Sequence, residues 1–142
     1  MKATDLMIGD KVMVKVLSQI PNTYVLHTWT ANDYSRDIQV KPIPLTPEIL
    51  EKNGFSPETF LTAEWGRKVY FKEFPGCVVE PADSGKYIFG TTKYWSETYG
   101  DGSPKDWGTM YESRIYNLQY VHTLQHALRL VGLSEIADNF KV

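Results

Sequence analysis

The chain has 142 residues, of which 42% are hydrophobic and 23% are charged, and its formal net charge is -2. This is the length of one ordinary domain, which can bury a sizeable core without disulfides or metals. Basic and acidic residues are interleaved, and this argues against a nucleic-acid partner, since a duplex-binding protein usually has a basic face. No stretch approaches the roughly 20 apolar residues that are needed to cross a bilayer.

The single cysteine and the first residues bear on localisation. Cys77 excludes an intramolecular disulfide and suits a reducing compartment, where we expect it to be a small buried hydrophobe. The opening residues, MKATDLMIGDKVMV, contain no continuous apolar run of the signal-peptide type. We therefore expect a cytoplasmic protein without membrane contact.

Three short strands are predicted near the start of the chain. In KVMVKV, residues 11–16, alternate valines share one face, and Gly9-Asp10 before them is a turn signal. Residues 23–30 are rich in β-branched and aromatic side chains, and DIQV at 37–40 is a shorter candidate. Such an arrangement is typical of a small SH3-like curled sheet.

A helix over about 47–53 is predicted in the middle of the chain. The prolines of PIPLT indicate an extended segment, Thr46 suits an N-cap and Pro47 suits the first helical position. Asn53-Gly54 ends this helix. Ser56-Pro57-Glu58 repeats the start signal, so a further helical turn is predicted there.

In the second half of the chain, the sequence predicts four strands and a final helix. The strands are KVYFKEF, CVVE, KYIFGTTKYW and TMYESRIYN, and GDGSPKDWG is predicted to be a long turn. The helix covers about 118–131, and Ser134 is predicted to cap one more turn. The predicted fold is a single α+β domain over residues 1–142, with mostly antiparallel curled sheets and two main helices. The predicted core residues are Val12, Val14, Ile49, Leu50, Leu118, Val121, Leu124 and Leu128.

His122 and His126 are four residues apart on the final helix, where two imidazoles can meet one zinc ion. However, zinc hydrolases carry a glutamate directly after the first histidine, and here that position is Thr123. Arg129, one turn further, would repel a bound cation, and no spacing marks a third ligand. The sequence favours a half-exposed polar flank of the helix, and a metal-assisted hydrolase that uses both histidines is the alternative.

A second candidate site is the aromatic hairpin, which we define as residues 94–111. Aromatic faces beside carboxylates can bind sugars or stack unpaired bases, but cross-strand aromatic pairs also stabilise a hairpin without binding anything. The candidate partner surface consists of Tyr94, Trp95, Tyr99, Asp101, Trp107 and Tyr111. The chain has no phosphate loop, dinucleotide fingerprint or nucleophile elbow, so we expect no cofactor and assign no catalytic residue.

Three segments carry a resemblance to a known family: Asp5 to Val12, Pro42 to Phe55 and Tyr120 to Gln125. They resemble small uncharacterised proteins of Bacteroides-type gut bacteria and of their prophages and mobile elements. The family pattern has histidine at position 122 and asparagine at 126, so the resemblance implies no shared metal pair. It implies a cytoplasmic accessory role and no specific activity. Residues 83–113 are longer and more aromatic than in the typical family member.

These features favour a small non-enzymatic binding or interaction protein that acts on a protein partner or on a second copy of itself. A single-stranded nucleic-acid binder that uses the aromatic hairpin is a further alternative. The side chain of His122 is predicted to hydrogen-bond to a strand or to the PIPLT segment, so that His122→Ala would destabilise the fold.

Overall fold

The computed structural model describes the backbone of residues 1–18, 23–61, 66–72, 76–98 and 104–142, and the side chains of these residues except at 58–61, 66–67, 92–98 and 104–113. Helices and antiparallel sheets are both present, which confirms the predicted α+β class. The chain forms two compact units. The terminal unit comprises Met1–Thr46 and Gln119–Val142, and the central unit comprises Pro47–Leu118. The single domain over 1–142 stays a prediction.

The terminal unit contains a three-stranded antiparallel sheet. Its strands are β1 (Lys11–Val16), β2 (Val25–Thr28) and β3 (Ile38–Lys41), in the order β2-β1-β3. All three were predicted from the sequence; the SH3-like comparison stays a prediction. Val12 and Val14 of β1 point into a core with Leu6 and Trp29, as the alternation of apolar residues in this strand requires.

Three α-helices are present in the described part of the chain: α1 (Pro47–Lys52), α2 (Val121–Leu130) and α3 (Ser134–Asp138). The helix α2 begins later than predicted, because the PIPLT segment pairs with the residues before it. The Leu45 N–H donates to the Gln119 carbonyl at 2.9 Å, and the Val121 N–H donates to the Ile43 carbonyl at 2.9 Å. These bonds keep residues 119 and 120 extended. The Tyr120 N–H then donates to the Thr123 hydroxyl oxygen at 3.1 Å, which satisfies a backbone donor at the start of α2.

The central unit contains a five-stranded antiparallel sheet in chain order, β4-β5-β6-β7-β8. The strands are β4 (Ser56–Leu61), β5 (Gly66–Lys72), β6 (Cys77–Pro81), β7 (Tyr87–Thr98) and β8 (Pro104–Leu118). Cys77 is buried, as predicted, and burial raises the pKa of its thiol to about 12. All eight predicted core residues of the chain are buried.

The helical turn predicted at Ser56 is wrong, because these residues form the strand β4. The helix α1 closes when the Phe55 N–H donates to the Leu50 carbonyl at 3.1 Å, and Gly54 has a positive φ of 83°. The chain then pairs with β5, where Pro57 lies opposite Tyr70. Proline is tolerated here because β4 is an edge strand of this sheet and needs fewer backbone donors.

The long turn predicted at GDGSPKDWG is also partly wrong, because Pro104–Gly108 belong to β8. The backbone ladder continues through these residues, with Ser96 opposite Trp107 and Glu97 opposite Asp106. Pro104 is the first residue of the strand, a position where its missing N–H costs little.

Candidate functional site

The most closely connected polar side chains join the turn before β1 to the helix α2. Asp10 is fully buried, and both of its carboxylate oxygens accept hydrogen bonds. Its Oδ2 lies 2.8 Å from the Met7 amide nitrogen and 2.6 Å from Nε2 of His126. Its Oδ1 accepts from Nη1 of Arg129 at 2.6 Å. We call Asp10, His126 and Arg129 the Asp10 cluster.

The environment of Asp10 favours its charged form. Burial by itself would raise the pKa of this carboxyl. The hydrogen bonds from His126, the Met7 amide and Arg129 act in the opposite direction, and together they lower the pKa of Asp10 below its ordinary value. The buried carboxylate is therefore paired at neutral pH and holds the turn against α2.

The approach of Arg129 to this turn requires glycine at position 9. Gly9 has a positive φ of 95°, and a Cβ there would lie only 2.9 Å from Nη2 of Arg129. The same Nη2 donates to Asp138 at 3.3 Å. The Gly9-Asp10 pair, a turn signal in the sequence, thus also provides the space and the charge that Arg129 uses.

Gln125 connects three parts of the terminal unit through backbone groups. Its Oε1 accepts from the Lys11 N–H at 2.8 Å. Its Nε2 donates to the carbonyls of Gly9 and Ala137 at 3.0 and 2.9 Å. Gln125 was not predicted as a functional residue, although its spacing was a signal. It follows Val121 by four residues and precedes Leu128 by three, so it lies on the apolar stripe of α2.

His122 is buried and not half-exposed, which corrects the predicted position of this side chain. Only 6% of its surface is accessible. Its ring stacks on Tyr120 with a centroid distance of 5.8 Å and meets the His126 ring edge-on at 5.6 Å. Among the described residues its Nδ1 has no hydrogen-bond partner, so the predicted bond to a strand or to the PIPLT segment stays a prediction for Nε2 alone. Burial lowers the pKa of His122. A helical wheel of α2 did not indicate this burial, because Tyr120, which packs on His122, lies before the helix.

In the described part of the chain, no three His, Cys, Asp or Glu side chains are arranged to hold a metal ion. His122 and His126 therefore have no third ligand among these residues. The planes of the two rings are inclined at 79°, and Nε2 of His126 faces Asp10. A carboxylate partner of this kind can also orient a metal-bound histidine. The metal alternative therefore stays a prediction.

A second cluster of the same composition is centred on the 3-10 helix Ala31–Ser35, which precedes β3. Asp33 is buried and accepts from Nε2 of His27 at 2.7 Å and from Nη1 of Arg36 at 3.0 Å. The amide and hydroxyl of Thr30 also donate to it, at 2.7 and 2.9 Å. Burial opposes ionisation, but these four donors lower the pKa of Asp33 far below its usual range. His27, for which the sequence predicted no role, thus takes part in a hydrogen-bonded cluster that stabilises this segment.

The outer face of the terminal sheet, opposite Val12 and Val14, carries cations and apolar groups. Met13 lies opposite Leu26 on β2 and opposite Lys41 on β3, and paired residues share a face of the sheet. We call this surface the lysine face; its members are Lys11, Met13, Lys15, Tyr24, Leu26, Thr28, Gln39 and Lys41.

Two of the lysines meet at one aromatic ring on the lysine face. Nζ of Lys15 lies 5.0 Å from the centroid of Tyr24, and Nζ of Lys41 lies 5.7 Å from it. Within the described residues, neither ammonium group forms an ion pair with a carboxylate. Tyr24 and Leu26 are 37% and 51% exposed. The face therefore presents charge that the described residues do not neutralise.

The aromatic hairpin is confirmed only as a backbone arrangement. Trp95 lies opposite Gly108, and Thr92 lies opposite Tyr111, in the β7-β8 ladder. Tyr99 and Asp101 lie outside the described residues, as do the side chains of Tyr94, Trp95, Trp107 and Tyr111. The partner surface predicted there stays a prediction.

No family model, curated protein or solved structure matched this chain in comparisons with known proteins. The family resemblance of the three segments therefore stays a prediction. Along the part of the chain that the structure describes, no helix combines the length and apolar character that crossing a membrane requires.

Proposed function

We propose that the protein is a small non-enzymatic binding protein that recognises an anionic partner through the lysine face. The observation that carries this proposal is the meeting of Lys15 and Lys41 at the Tyr24 ring, without a carboxylate partner among the described residues. Two like charges held close together repel each other. A bound anion relieves this repulsion, so the arrangement favours an anionic ligand.

The polar clusters support a non-enzymatic role, because their hydrogen bonds stabilise turns. An aspartate that orients a histidine occurs in catalytic triads, but such a triad also needs a nucleophile within hydrogen-bond reach of the histidine. In the described part of the chain, His126 forms no hydrogen bond with a hydroxyl or thiol. Both oxygens of Asp10 are occupied by donors of the protein itself.

The expected biological setting comes from the resemblance to proteins of mobile elements, and it is part of this proposal. The sequence favours a protein partner or a second copy of the chain as the ligand, whereas the lysine face favours a polyanion. The following experiment separates these ligands.

The test is binding of fluorescently labelled polyphosphate, a polyanion without bases or peptide groups, measured by anisotropy at low salt. We expect binding that weakens as salt rises, and a loss of about tenfold in affinity in Lys15→Gln/Lys41→Gln. The matched control is Lys52→Gln/Lys86→Gln, which makes the same change in net charge at exposed positions of the central unit. Absence of polyphosphate binding, or an equal loss in both double variants, would overturn the proposal. The oligomeric state of the same samples shows whether a second copy of the chain is the ligand. If it is, that result also counts against the proposal.

A further inference from the structure

We infer that the anionic partner is single-stranded nucleic acid, with the lysines of the lysine face on its phosphates and Tyr24 against a base. This inference rests on the proposed function and names the class of ligand for the same surface.

The type of cation on the lysine face favours a phosphate backbone. Lys11, Lys15 and Lys41 are the basic residues of this face, and none is arginine. Protein–protein interfaces are depleted in lysine and enriched in arginine. A phosphate backbone, in contrast, is bound well by flexible point charges, because affinity comes from neutralising charge and releasing counterions. The lysines therefore favour a polynucleotide over an acidic protein segment.

The lysine face combines these cations with exposed apolar groups. The ring of Tyr24 and the side chain of Leu26 are accessible on the same face. A positively charged groove or sheet with an aromatic side chain is the usual surface for unpaired strands, whose bases are free to stack. A duplex hides its bases in the stack, so Tyr24 would gain nothing from it. The surface thus favours a single strand.

The composition of the whole chain does not reveal this basic surface. The net charge of -2 is an average over the chain. Two of the acidic residues of the terminal unit, Asp10 and Asp33, are buried in ion pairs and do not offset the lysines at the surface. One exposed carboxylate, Asp37, lies beside the start of β3, where its backbone carbonyl accepts from Leu17, and it limits the basic surface at that end. The remaining face is basic although the protein is acidic.

The experiment compares four labelled probes by anisotropy over a salt series with the full chain. The probes are an oligothymidylate of about a dozen nucleotides, an abasic strand of equal length, the corresponding duplex and polyaspartate of equal charge. We expect the oligothymidylate to bind most tightly, and the magnitude of its log–log salt slope to fall by about 1.4 in Lys15→Gln/Lys41→Gln, about 0.7 for each lysine on a single strand.

The contribution of the ring is tested with Tyr24→Phe and Tyr24→Leu. Phenylalanine keeps the stacking surface, so we expect unchanged affinity for oligothymidylate. Leucine keeps apolar contact with the lysine side chains but removes the ring, and we expect a loss of about tenfold. Tyr116→Leu, at an exposed tyrosine of the central unit, is the matched control and should leave affinity unchanged. Equal melting temperatures of these variants exclude unfolding as the cause.

The outcomes separate the two proposals. If oligothymidylate binds no better than the abasic strand and polyaspartate, while the lysine variant weakens all three, the inference is overturned and the proposed function stands. If none of the polyanions binds at low salt, both are overturned. If the duplex binds most tightly, the inference of a single strand is wrong.

Discussion

At the scale of single residues, Asp10 connects sequence positions that are more than a hundred residues apart. Its carboxylate faces Arg129 and His126 on α2, while its own backbone pairs with Trp29. A pair of charges out of water is costly, but removal of one member is costlier, because it leaves the other without compensation. The free energy of unfolding should therefore depend strongly on this carboxylate.

We predict that Asp10→Asn lowers the free energy of unfolding by on the order of 3 kcal/mol. The substitution keeps the size of the side chain but removes the charge that Arg129 and His126 face. The measurement is urea unfolding at neutral pH. Asp138→Asn removes the other, exposed partner of Arg129 and should cost less than about 1 kcal/mol. Equal effects of the two substitutions would contradict the structural role of Asp10.

His122 makes stability depend on pH, because the fold favours its neutral form. Its pKa is lowered by burial, aided by His126 and the N-terminal amine, while Asp10 and Asp5 oppose the shift. Below pH 6.5, which is the ordinary pKa of histidine, the unfolded chain therefore binds more protons than the folded chain. We predict that stability falls as the pH decreases below that value. In His122→Phe this part of the pH dependence should disappear from urea unfolding curves between neutral pH and the acid range. An unchanged pH profile in the variant would disprove it.

His122→Ala should destabilise the protein by about 2 kcal/mol, because it removes a buried ring that packs on Tyr120. The melting temperature is the measurement. His122→Phe should cost less, since it keeps the stacked ring and removes an unpartnered buried nitrogen. If His122→Phe lost as much stability as His122→Ala, the imidazole would have a hydrogen-bond partner in the folded protein.

At the scale of elements, α2 is attached to the sheet by a polar side chain inside its apolar stripe. Gln125 satisfies three backbone groups of other segments, and none of its polar atoms is exposed to solvent. The strength of this attachment comes from burial, because an unpaired backbone group away from water loses its hydration without compensation.

We predict that Gln125→Leu lowers the free energy of unfolding by about 2 to 3 kcal/mol. Leucine has a similar size, so the loss would come from the unpaired groups of Gly9, Lys11 and Ala137. Gln119→Leu, at an exposed position just before α2, is the control and should be near neutral. A small effect of Gln125→Leu in chemical unfolding would mean that water replaces the lost bonds.

Most elements could be predicted because their signals are local. Alternation in KVMVKV and the apolar stripe of α2 reflect the geometry of a strand and a helix, and both are confirmed. The prediction at Ser56-Pro57-Glu58 was wrong because a local start signal competed with pairing to β5, a partner ten or more residues away. The candidate site was still harder to predict from the sequence, since Asp10, His126 and Arg129 meet only after the chain has folded.

At the scale of the whole molecule, the division into two units allows them to respond differently to a mutation. The hydrogen bonds that Asp10→Asn alters all lie within the terminal unit. We predict faster amide hydrogen exchange in β1 and α2 of this variant, with little change in β6 and β7 of the central unit. Hydrogen exchange resolved along the chain is the measurement. An equal increase in both units would instead indicate the single cooperative domain that the sequence predicts.

By itself, the sequence determined the α+β class, nearly all strands and helices and eight residues of the core, because hydrophobic periodicity and turn signals act over a few residues. Only the tertiary structure decided which polar groups are partnered. It buried His122 beneath Tyr120, paired Asp10 with α2 and Asp33 with His27, and left Lys15 and Lys41 together on one exposed face. The physical reason is that desolvation and charge pairing depend on distances between remote segments, whereas a count of charges along the chain averages over them.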